Sequence, residues 1–148
     1  MGRGLLGTRA NVVADVNLIL QVAILIVLWV GLLQSNRRGW NAFRALMSVG
    51  VALNAVLIIA IMNPAFFRIL PFALRNPLAP VPILLWPHAL IGLVAELIGV
   101  YLALFASQDW NSAPGAGRRR VSAVVGVLLL LWALAFAVGV AVYLRRYT

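Results

Sequence analysis

The chain has 148 residues, 64% of them hydrophobic and only 10% charged, a balance far from that of a soluble domain, where about a quarter of residues are charged. Its twelve basic residues are all Arg, against three acids (Asp15, Glu96 and Asp109), one His and no Cys, for a formal charge of +9. That excludes a disulfide scaffold, a thiolate metal site, a Cys nucleophile and any lysine-dependent Schiff-base or phosphate-loop chemistry.

A bilayer core about 30 Å thick needs about 20 apolar residues of helix, and four such windows occur, at about 12–33, 43–62, 87–106 and 121–144. The first is too long for the apolar stretch of a signal peptide and is followed by Arg37 and Arg38 rather than by a small-residue cleavage site, so it reads as a retained helix. The second follows the polar segment from Gln34 to Asn41. Between the second and third windows lies residues 63–86, with Pro64, Pro71, Pro77, Pro80 and Pro82. So much proline argues against a further spanning helix, while Phe66, Phe67, Ile69, Leu70 and Phe72 are too apolar for a solvated loop. The segment is expected to lie in the membrane interface with Arg68 and Arg75 among headgroups, as an apolar linker or as a docking element. The third window leads through a polar loop to Arg118, Arg119 and Arg120, and the fourth ends at Arg145 and Arg146.

The expectation is therefore an all-α integral membrane protein: one membrane domain over residues 1–148, a four-transmembrane-helix bundle with a proline-rich interfacial segment between helices 2 and 3. With four spans, both termini share a side with that segment. Arginines divide six and six between the two sides, so the positive-inside rule gives no majority. The set in the two short loops (Arg37, Arg38, Arg44, Arg118, Arg119, Arg120) is the denser. It tips the reading toward those loops facing the cytoplasm and the termini facing out.

Polar residues inside a membrane are costly, so their depth is informative. Counted from the side of the termini, Gln21, Asn54 and Glu96 lie eight or nine residues into three different helices, roughly 12–14 Å deep at 1.5 Å per residue. An ionised carboxylate there is expensive, which leaves Glu96 neutral or paired, with Gln21 or Asn54 as its hydrogen-bond partner. Such a layer suits plain interhelical bonding, and equally a site where Glu96 takes up a proton or meets a ligand.

A second polar level sits nearer the same face, with Asp15 and Asn17 opening the first helix, Met62 and Asn63 closing the second, His88 opening the third and Tyr143 ending the fourth. His88, the only imidazole, offers one ligand to a haem with Met62 as a weak second and Asp15 to orient the ring; the simpler alternative is a histidine bonded to Asp15 or to water. Gly92, Ala95, Gly99, Ala103 and Ala106 form a small-residue stripe on the third helix, bordered by His88 and Glu96, and Gly126, Ala133 and Gly139 do likewise on the fourth. Trp29 and Trp132 read as packing residues. No serine has a nucleophile-elbow context, and the arginines fall at membrane edges, so neither hydrolysis nor nucleic-acid binding is expected.

From Trp86-Pro87-His88 onward, the histidine at a helix start, the basic loop and a last helix carrying Trp132, Gly139 and Tyr143 resemble the CtaM/YozB-like family of small polytopic bacterial membrane proteins. Arg37-Arg38 followed by Met47 fits that family's basic loop and second helix. The resemblance covers about the last 115 residues and implies a link to maturation of haem-copper terminal oxidases. The family's additional histidines are replaced here by Trp40-Asn41 and Arg118-Arg119-Arg120, which leaves His88 alone and no metal-ligand set.

The functional expectation is a non-enzymatic accessory or assembly subunit whose partners are the lipid bilayer and a larger respiratory or photosynthetic membrane complex. The alternatives are a small redox bundle using His88 for haem b or the His88/Glu96 face for a quinone, and a proton or small-solute path along Asp15, His88 and Glu96. The candidate site residues are His88, Glu96, Asp15, Gln21 and Asn54, with no catalytic residue, no metal site and no cofactor required.

Overall fold

A computed structural model describes residues 5–7, 9–35, 40–112 and 116–147. Every regular element among them is helical: α1 (Val12–Ser35), α2 (Trp40–Leu57), a π-helical turn (Ile58–Met62), α3 (Asn63–Arg75), α4 (Pro80–Ser112) and α5 (Ala116–Tyr147). Four stretches are long and apolar enough to cross a membrane, Val12–Gly31, Phe43–Arg75, Pro80–Phe105 and Val121–Tyr147. They suggest a multi-pass membrane protein. The arginine tally rests in part on Arg3, Arg37 and Arg38, which lie outside the described residues.

The proline-rich stretch differs from the sequence expectation, because most of residues 63–86 is helix. α2, the π turn and α3 run on without a break, and α4 begins at Pro80, not near residue 87. The reason lies in where each proline falls rather than in their number. Pro64 has no N–H, and its ring presses on the carbonyl four residues back, at Ala60. The chain absorbs this by widening one turn, with the Asn63 N–H bonding the Ile58 carbonyl, five residues back. Pro80 and Pro82 occupy the first turn of α4, where no N–H is required, and the first bond there runs from the Ile83 N–H to the Ala79 carbonyl at 3.0 Å. Pro71 and Pro87 sit inside helices, each removing one bond, as apolar membrane helices tolerate. Only Pro77 ends a helix: it pushes Asn76 out of the helical region, to φ −132° and ψ 65°, and a short turn over residues 76–79 leads into α4.

α1 packs against α2, α2 against α4, α4 against α5 and α5 against α1, so the four long elements close a ring in chain order, up, down, up and down. Their heights are fixed by close contacts. A Cβ added at Gly99 on α4 meets Val51 of α2 at 2.9 Å and Leu128 of α5 at 3.9 Å, so the missing side chain lets three helices meet at one level. Gly92 and Gly126, expected in the same kind of interface, have open space beside them instead. Toward the end of the bundle where α2 and α5 begin, the buried side chains among the described residues are apolar, Leu28, Met47, Val51, Leu102, Val125 and Leu128 among them.

The outer surface is apolar too, with Ile26, Ile59, Leu97 and Leu130 among many large side chains facing outward. Trp132 is buried in the core as expected, whereas Trp29 is exposed on the outer face of α1. A soluble protein would hide such a surface; a bilayer accepts it.

Candidate functional site

The register set at Gly99 brings the midplane polar residues together. Gln21 Nε2 donates to Asn54 Oδ1 at 2.7 Å, and Asn54 Nδ2 donates to Glu96 Oε2 at 2.7 Å. Asn54 is thus the hub of a chain across α1, α2 and α4, and both Asn54 and Glu96 are buried. Such bonds contribute about 0.6–1.7 kcal/mol each within membranes. Only half of the Glu96 carboxylate is engaged: Oε1 is buried without a hydrogen-bond partner, as is Oδ1 of Asn17.

Asp15 and His88, placed at one level by the sequence, turn out to serve different contacts. Asp15 is 0% exposed. Its Oδ1 accepts the Tyr143 hydroxyl, and its Oδ2 accepts the Leu6 N–H at 3.0 Å. One carboxylate therefore joins α1 to α5 and holds the segment before α1 across the end of the bundle. The Arg9 N–H, bonded to the Tyr147 carbonyl at 3.2 Å, closes the same junction. Asp15 also lies in the first turn of α1, where the helix dipole favours a negative charge. Asn11 caps that helix, its Oδ1 accepting the Ala14 N–H at 2.8 Å.

The His88 ring is oriented by α5 rather than by Asp15; its Nδ1 lies 2.8 Å from the Ala135 carbonyl. A carbonyl only accepts, so Nδ1 carries the hydrogen, and in a neutral ring that leaves the lone pair on Nε2. The ring reaches that carbonyl because Gly139, one turn on, has no side chain: a Cβ there would stand 2.8 Å from His88 Cε1 and 3.1 Å from Nδ1. Met62 falls in the π turn, and the register that pairs Asn54 with Glu96 carries it to about the height of His88. Among the described residues no three His, Cys, Asp or Glu side chains gather as a metal site.

No family model, curated protein or solved structure matches this chain.

Several of the residues that carry the sequence resemblance are interior ones, while Trp86 and Pro87 are exposed. Met47 and Trp132 pack in the core, Tyr143 bonds Asp15, and His88 fills the space over Gly139. Sequence reasoning missed Asn11 and the backbone groups at these contacts. Asn11 had a usable signal, a capping residue directly before an apolar run. The Leu6 N–H and the Ala135 carbonyl are backbone groups and left none.

Tyr143→Phe tests the Asp15 junction. It removes the donor from a buried carboxylate oxygen, at a cost of about 1–3 kcal/mol, and is expected to speed amide exchange over residues 5–10 while leaving the midplane of α1 protected. Unchanged exchange there would show that Tyr143 does not hold the segment.

Proposed function

We propose that the chain is a multi-pass bacterial inner-membrane protein that works without catalysis, as an accessory or assembly subunit of a larger respiratory or photosynthetic membrane complex. The observation that carries this reading is α3. At 1.5 Å per residue the 33 residues of Phe43–Arg75 amount to about 50 Å of helix, well beyond a hydrocarbon core of about 30 Å. The excess must tilt, bend or lie in the interface, and the π turn before Pro64 is the place for a bend. α3 is tied to α4 by an edge-to-face contact of Phe66 with Trp86, 5.9 Å between ring centroids. Its other side stays uncovered: Phe67 is 63% exposed, Leu74 65%, and Leu78 in the following turn 83%. By contrast, the polar groups inside the bundle bond chiefly to one another. What the protein offers to others is this proline-bounded apolar helix, which suits a neighbouring membrane protein.

The test is purification of the full chain in mild detergent. A terminal oxidase or photosynthetic complex should co-purify, and changing Phe67 and Phe72 together to Ser should weaken recovery by about tenfold or more, since a buried Phe is worth about 1.5–3 kcal/mol. A chain recovered alone, with oxidase and photosynthetic activities unaffected by its deletion, would sink the reading.

A second reading is favoured by the His88 tautomer. A histidine that donates Nδ1–H to a carbonyl presents Nε2 in the arrangement metal-bound histidines commonly adopt, which suits a small redox bundle that would use His88, with Met62 as a second ligand, for haem b, or the His88/Glu96 face for a quinone. Purification after expression with ample haem decides the haem version, because absence of a Soret band would eliminate it.

A further inference from the structure

The two unpartnered buried acceptors, Glu96 Oε1 and Asn17 Oδ1, mark the two ends of one polar string. Asn17 and Gln21 are four residues apart on α1 and so share a face. Gln21 then bonds Asn54, and Asn54 bonds Glu96. The string starts about 8 Å inside the beginning of α1 and reaches Glu96 near the middle of α4. Past Glu96 the character of the interior changes. Next come Val51 and Leu128 at Gly99 and Leu28 against Gly50, all buried, and then Met47, Leu102 and Val125. The bundle therefore has a polar half and a dry half.

Buried acceptors without a protein donor are ordinarily served by water, and water holds where two or more polar groups surround it. The polar half offers such groups along its length and the buried layer beyond Glu96 does not. We propose that Glu96 is a proton-exchange site open to one membrane face only, the face at which α1 begins, connected to it through Asn54, Gln21 and Asn17 and sealed from the other face by the Leu28, Val51 and Leu128 layer.

The exchanging atom is Oε1, because Oε2 is engaged by Asn54. The step is a simple transfer in which the Oε1–H bond breaks, the proton passes to a water to give hydronium, and the electron pair stays on the carboxylate. Among the described residues no charged side chain faces Glu96 from the elements packed around it. α1 brings Gln21, α2 brings Asn54, and α5 brings the apolar stretch around Leu128 and Trp132. On its own helix Tyr101 turns outward and His88 lies two turns away against Ala135; Asp15 and Tyr143 stand farther still, bonded to each other. A site closed at one end does not conduct. It reads the acidity of one face as a change of charge at the contact between α2 and α4.

The inference rests on the membrane-spanning reading but needs no partner complex, and one experiment separates the two. The full chain, with a protease-cleavable N-terminal tag to report sidedness, is reconstituted into liposomes. The infrared band of protonated carboxyl groups is then followed while pH is stepped on one side. The expected result is a loss of band when pH rises on the tag side and no change when it rises on the other. Glu96→Gln, which keeps an acceptor for Asn54, should abolish the signal, assigning it to Glu96 rather than to Asp15 or Asp109. Asn17→Leu should keep the band but remove its response. No response from either face, an equal response from both, or a response that survives Glu96→Gln or Asn17→Leu overturns the proposal while the spanning reading stands. A protein that fails to float with the liposomes overturns both.

Discussion

Asn54→Leu is expected to lower the stability of the bundle by about 2–4 kcal/mol, more than any other single change in the midplane layer. Asn54 accepts from Gln21 and donates to Glu96, so its loss breaks both bonds at once. Interhelical bonds in membranes contribute about 0.6–1.7 kcal/mol each. The larger part of the effect comes from stranding a Gln amide and a second carboxylate oxygen in an apolar interior, since a buried group left unpaired costs about 1–3 kcal/mol. Gln21→Leu removes only one bond, from a half-buried side chain, and should cost about 1 kcal/mol. Glu96→Gln keeps an acceptor for Asn54 and should be nearly neutral. Reversible unfolding in mixed detergent micelles measures all three, and equal losses for Asn54→Leu and Gln21→Leu would show that Asn54 is not a hub. In a chain already carrying Gln21→Leu and Glu96→Leu, Asn54→Leu should cost far less than it does alone, because no partner remains to be stranded.

The layer around Asn54 was legible in the sequence because depth along a spanning helix is a one-dimensional quantity. Counting 1.5 Å per residue from the helix ends put Gln21, Asn54 and Glu96 at one height, and the structure brings those three side chains into contact. Rotation about each helix axis was harder to read. Gly126 and Gly139 look alike as small residues on one helix, yet the first faces open space and the second lies under the His88 ring; Trp29 and Trp132 divide in the same way. In these segments apolar residues cover every side, so periodicity does not mark the inward face. The prolines misled for a different reason. Their number argued against a further spanning helix, but two of the five between residues 63 and 86, Pro80 and Pro82, fall within the first turn of α4, where the missing N–H has no cost, and the strain of Pro64 is taken up by the π turn. The partner of His88 was not legible at all, because it is a backbone carbonyl exposed by the absence of a side chain.

That last contact gives the other large expected effect, a mutation whose sign depends on its neighbour. Gly139→Ala in an α-helix ordinarily stabilises by up to about 1 kcal/mol, because Gly is the poorer helix former. Here the added Cβ would stand 2.8 Å from His88 Cε1 and 3.1 Å from Nδ1, closer than ordinary packing contacts, so the ring must leave the Ala135 carbonyl. Overpacking costs about 1–3 kcal/mol and the lost bond about 0.6–1.7 kcal/mol, which together outweigh the helical gain. Gly139→Ala is therefore expected to destabilise the native chain by about 1–2 kcal/mol. With His88→Ala already present, the ring is gone, the space over Gly139 is open, and the same substitution should stabilise by up to about 1 kcal/mol. The four-variant cycle, measured by detergent unfolding, should thus show a coupling of about 2–3 kcal/mol between two residues 51 positions apart. Additive effects, with Gly139→Ala equally harmful in both backgrounds, would mean that the ring does not rest on Gly139. The cycle also bears on any ligand at Nε2. If His88 holds one there, Gly139→Ala should displace the ring and weaken binding while the Asp15–Tyr143 junction at the end of α5 stays closed.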